Sequence, residues 1–115
     1  MNKTTEKVYT FHLMNSCREA GLATVDVING VDHIGKVVGV KRGPTRTALK
    51  RTLVNAYEKC HRGAKAMTVM IKKTATGNLR LGIACCCTTD QFDRKKGRLI
   101  ADNRRITKPK IVKNY

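Results

Sequence analysis

Two stretches of the chain concentrate side chains that bind phosphate. Lys41, Arg42, Arg46, Lys50 and Arg51 place five cations in eleven residues with no acid among them. The second stretch holds Arg94, Lys95, Lys96, Arg98, Arg104, Arg105, Lys108, Lys110 and Lys113, with Asp102 as its one acid. Gly43 and Pro44 put the first stretch at a loop-to-helix transition. Unbonded amides at a helix start receive phosphate there, and flanking cations add attraction. In the second stretch, Lys95, Arg98 and Arg105 fall near one helical face, and Arg94, Arg98 and Arg105 define an overlapping one. Such a stripe can follow a nucleic-acid backbone.

The expected arrangement is that both stretches fold onto one solvent-facing surface, where a polyanion touches both. Lys41, Arg42, Arg46, Lys50, Arg51, Arg94, Lys95, Arg98, Arg104 and Arg105 are then the nucleic-acid contacts. Arg98 or Arg105 could reach a base edge, although either serves a phosphate equally well. The chain has two Phe, three Tyr and no Trp, which is a poor stacking platform. Tyr9 can stack a base, whereas Phe11 is better placed in a core. Duplex DNA or structured RNA is therefore favoured over extended single strands. The same cations would also dock an adaptor or inhibitor onto an acidic protein, the alternative reading.

Other chemistries have weaker support. Cysteines stand at 17, 60, 85, 86 and 87, an odd number without a Cys-x-x-Cys pair. One strand cannot turn three consecutive thiolates toward a single metal ion, even with His12, His33 or His61 nearby. Cys85 and Cys87 read as small core residues, and Cys86 as packed under a helix. Asp90 and Asp93 could join Asp26 or Asp32 around a divalent ion, but they serve more simply as a cap and a first-turn acid of a helix. No nucleophile accompanies the histidines, and the 39–45 stretch lacks the phosphate-loop pattern. The expectation is a protein without catalysis, metal or cofactor. Residues 90–101 loosely resemble a segment of small basic phage accessory proteins, which implies a regulator or a protein that docks on a host target.

The whole composition agrees with a polyanion partner. The 115 residues carry 24 Lys and Arg against 8 Asp and Glu, a formal charge of +16. A neutral small-molecule substrate does not explain that excess. At 41% hydrophobic residues the chain can still build one core. No apolar run approaches the roughly 20 residues of a membrane helix. No secretory signal is evident, and the unpaired cysteines suit a reducing, cytoplasmic setting.

These residues need elements to position them. Residues 8–13 read as a strand with Tyr9, Phe11 and Leu13 on its core face. Asn15 or Ser16 could cap a short helical turn ended by Gly21. Residues 24–28 and 31–40 read as a hairpin about Asn29-Gly30. A helix starts at Pro44, capped by Thr45 or Thr47, with Leu49, Leu53, Tyr57 and Cys60 on one face and Gly63 past its end. Residues 67–72 and 79–87 read as a second hairpin, in which Leu79, Leu81, Ile83, Cys85 and Cys87 alternate with Arg80, Gly82, Ala84 and Cys86. The small residues of the second set invite a close-packed element. The last helix begins near Asp90, with Phe92, Leu99 and either Asn103 or Ile106 on its seam and Ile100 at its edge. The fold class is α+β: a small antiparallel sheet of four to five strands with two main helices packed on one face. One domain spans 7–106, between a flexible 1–6 segment and a basic 107–115 tail. A Leu79/Leu81/Ile83 face left open would make a homodimer.

Overall fold

The computed structural model describes residues 7–14, 22–59, 64–87 and 94–113. The expected 1–6 segment, the 15–21 turn, the Cys60 and Gly63 positions and Asp90, Phe92 and Asp93 lie outside these residues. The fold is α+β. Four strands, β1 (Val8–Met14), β2 (Ala64–Lys73), β3 (Leu79–Cys87) and β4 (Lys110–Val112), form one antiparallel sheet in the order β1-β2-β3-β4. Three helices accompany them: α1 (Thr24–Val38), α2 (Pro44–Glu58) and α3 (Arg94–Thr107).

The period-two pattern sorts the sheet into two faces. Met67, Val69, Ile71, Leu79, Leu81 and Ile83 point to one side, where they join Val27, Val31 and Ile34 of α1 and Leu49 and Leu53 of α2 in the main core. Met70 and Ala84 point to the other side and meet Ala101 of α3. The two helices that share a face are thus α1 and α2, and α3 covers the opposite face. The Leu79/Leu81/Ile83 surface is buried beneath helices, so it offers a second copy nothing.

Residues 24–38 correct the first hairpin expectation. Val27, Val31, Ile34 and Val38 are all buried, at spacings of four, three and four. That is a helical stripe, and its burial outweighs the local preference of Val, Ile and Asn-Gly for a hairpin. The Asp26 carboxylate accepts from the Ala23 backbone N–H at 2.9 Å and fixes the start of α1. Gly39 ends it in the left-handed conformation at φ 88°, which a residue with a Cβ adopts with strain. Helix α2 begins at Pro44 as expected, but Gly43, not Thr45 or Thr47, occupies its cap position. Residues 110–112, expected in a basic tail, pair with β3 through Leu79–Val112 and Leu81–Lys110. Val112 is buried and supplies the reason.

The α3 seam also differs from expectation. Ala101 is fully buried, while Leu99 and Ile106 are exposed. Gly82 explains the exchange. A Cβ there would lie 1.9 Å from the Ala101 carbonyl oxygen and 2.5 Å from the Arg105 backbone nitrogen. The backbone of α3 rests directly on the strand and leaves no room for a large inward side chain. Gly82→Ala should lower unfolding stability by about 2 kcal/mol or more, because backbone atoms must move. Gly30→Ala would meet only the terminal methyls of Leu13, so it should cost far less. Urea unfolding of both variants checks this, and a Gly82→Ala midpoint equal to that of the parent refutes the close contact.

Candidate nucleic-acid interface

The strand register gathers cations that are distant in sequence. Val8 pairs with Lys72, which sets Lys7 beside Lys73 at the end of the sheet. Lys73 pairs with Leu79, and Leu79 with Val112, so Lys113 emerges at the same end. Arg80 stands one residue in from it. Successive strands lie about 4.8 Å apart, so the row from β1 to β4 is about 14 Å wide. The loop between α1 and α2 adds Lys41 and Arg42. Lys7, Lys41, Arg42, Lys73, Arg80 and Lys113 are all exposed.

A cleft of about 360 Å³ opens at this end, between the α1–α2 loop and the β2–β3 turn. Lys41, Arg42 and Lys73 line it with Pro44 and Thr45 of the first turn of α2 and with Gly77 of the β2–β3 turn. No acid among the described residues contributes to its wall. Among the described residues, Asp26 and Glu58 stand at the far ends of α1 and α2. Asp32 pairs with Arg46, and Asp102 with Arg105. Among the described residues, no unpaired carboxylate therefore stands at this end.

Arg46 belongs to the architecture of this site and not to its surface. Its side chain is 15% exposed, and its guanidinium lies where a Cβ on Gly35 would sit. It donates to the Val40 carbonyl and, at 3.4 Å, to Asp32. Its Nε is buried without a partner. Arg46 thus ties α1, α2 and the loop that presents Lys41 and Arg42. Gly43, at φ 131°, lets that loop turn into α2.

The remaining expected contacts separate into two groups. Lys50 and Arg51 are exposed along α2, and Lys95 and Arg98 along α3. Arg94 opens α3. Arg104 donates to the Ile83 carbonyl at 2.7 Å and holds α3 to the sheet. Arg105 is 13% exposed and donates twice to Asp102 Oδ1, at 2.7 and 3.1 Å. The 41–51 and 94–105 stretches do not form the common surface expected of them, because α2 and α3 cover opposite faces of the sheet. Lys7 and Lys73 join Lys41 and Arg42 instead, and Arg80 and Lys113 stand at the same end on the other face of the sheet. Only the pairing of strands brings them together, and the linear sequence carries no local signal of it.

Among the described residues no group of three or more His, Cys, Asp or Glu could hold a metal ion. Cys85 packs against the main core. His12 meets the buried Thr68 hydroxyl through Nδ1 at 3.0 Å. At the basic end, Tyr9 is stacked on Phe11 and covered by the Lys7 ammonium, which leaves its ring poorly placed to stack a base.

The chain matches no model of a known protein family, no curated protein and no solved structure.

Arg46→Ala should destabilise the fold by about 2 kcal/mol, since it strips the Val40 carbonyl of its donor and empties the space over Gly35. Lys50→Ala and Arg51→Ala, both exposed, should stay within about 0.5 kcal/mol. Denaturant titration distinguishes the structural arginine from the solvated cations.

Proposed function

We propose that this chain is a non-enzymatic nucleic-acid-binding protein that holds the phosphate backbone of DNA or structured RNA at the β2–β3 turn end of its sheet. The observation that carries this reading is the convergence of Lys41, Arg42 and Lys73 on one cleft whose described lining holds no acid, with Lys7 beside Lys73 and with Arg80 and Lys113 at the same end on the other face of the sheet. Phosphate contacts of this kind fix position and affinity without reading bases. Among the described residues the site supplies no open aromatic ring for unstacked bases, which favours a duplex or another folded nucleic acid. The +16 charge adds long-range attraction and speeds encounter. Lys50 and Arg51 extend the positive field along α2, while Arg46 acts by holding the loop.

Fluorescence anisotropy of labelled duplex DNA, hairpin RNA and single strands over a range of salt concentrations tests the proposal. Six neutralised phosphates correspond to a slope of about −5.4 in log affinity against log salt. Joint replacement of Lys41, Arg42 and Lys73 by Ala should weaken all duplexes alike and reduce the slope to about −2.7. Joint replacement of Arg94, Lys95 and Arg98 should change it less. Weak binding to every nucleic acid, beside one tight acidic protein partner, overturns the reading in favour of an adaptor or inhibitor. Binding that is indifferent to Lys41, Arg42 and Lys73 removes the site.

A further inference from the structure

Helix α3 carries its large apolar side chains on the outside. Leu99 and Ile106 are 61% and 63% exposed, and Ile100 is also exposed, while Ala101 is fully buried. An ordinary surface helix has the opposite arrangement, with its large apolar residues on the packed face. Leu99 and Ile106 are seven residues apart, so they lie on one line about 10.5 Å apart along the axis. Lys95 and Lys96 stand one turn before Leu99, and Lys108 and Lys110 follow Ile106. Asp102, the acid within α3, has its carboxylate occupied by Arg105. Among the described residues the outward face is therefore an aliphatic ridge, with the exposed Asn103 between Leu99 and Ile106 and lysines toward both ends.

The chemistry of the ridge selects its partner. A second copy would set lysines against lysines. A nucleic-acid backbone would satisfy the lysines but offer nothing to Leu99 and Ile106. A flat surface that is anionic outside and apolar beneath complements both. We propose that this face of α3 docks on an anionic lipid surface, with Leu99, Ile100 and Ile106 entering the boundary between headgroups and acyl chains and the flanking lysines reaching lipid phosphates. The face lies across the sheet from α1 and α2, and the proposal does not depend on the nucleic-acid reading.

The chain contains no Trp, so a Leu99→Trp variant carries a single fluorescent reporter on the ridge. With vesicles of 70% phosphatidylcholine and 30% phosphatidylglycerol, its emission should shift to the blue and be quenched by lipids brominated in the acyl chain. A Val25→Trp variant, with its reporter on an exposed position of α1, should show neither effect. The double variant Leu99→Ser/Ile106→Ser should bind these vesicles about tenfold more weakly or worse, with an unchanged circular dichroism spectrum. Pure phosphatidylcholine vesicles should bind little. Sedimentation with anionic vesicles while the Leu99→Trp emission stays unshifted would mean adsorption by charge alone and overturns the proposal. So does failure to sediment with them at all, which would leave an acidic protein groove as the occupant of the ridge.

Discussion

A single contact between main chains, at Gly82, decides what α3 shows to solvent. With the Ala101 carbonyl standing where a Cβ would be, the helix approaches the sheet too closely for a leucine or isoleucine to fit between them. Small residues turn inward and aliphatic ones outward. The same approach brings Arg104 within reach of the Ile83 carbonyl. Two of the arginines in the richest basic stretch thereby become structural, Arg104 through that carbonyl and Arg105 through Asp102. Positive charge in this segment is divided between holding the helix in place and facing solvent, and a count of residues does not reveal the division.

Arg46 makes the same point on the other side of the sheet. It sits in the middle of the first basic stretch, yet its guanidinium fills the space above Gly35 and binds the Val40 carbonyl. A buried carbonyl left without a donor is costly, so this arginine serves the loop that carries Lys41 and Arg42. The electropositive end of the molecule is assembled from that loop, one turn and the ends of four strands. Its rigidity comes from the Leu79 and Val112 pairing and from the core beneath them, both fully or nearly buried.

The parts of the fold that could be read from the sequence are those in which local preference and burial agree. Residues 67–87 alternate cleanly about a glycine turn, and Leu49 and Leu53 follow Pro44 at helical spacing. The small residues at 82 and 84 correctly signalled a close neighbour. Residues 24–38 read as a hairpin because β-branched side chains and Asn-Gly favour one locally, whereas the Val27, Val31, Ile34 and Val38 stripe becomes decisive only against the sheet it packs on. The exposed seam of α3 was hidden for a related reason, since a glycine on another strand fixes it. Of the site, Lys41 and Arg42 were readable as loop cations ahead of a helix. Lys113 shows only as part of the second basic stretch, and Lys7, Lys73 and Arg80 carry no signal, because their proximity is a property of strand register. Lys110–Val112 looked like tail for want of any pattern long enough to declare a strand.

The basic end of the sheet also has a consequence for folding itself. Like charges held on neighbouring strands repel one another, and the native state must carry that electrostatic work whenever no anion is near. An unfolded chain spreads the same cations apart and escapes most of it. Anions that condense on this end therefore favour the folded form over the unfolded one, in the manner of any ligand selective for the native state. The thermal midpoint of this protein becomes a property of its ionic medium as well as of its core, and multivalent anions should raise it more than chloride does.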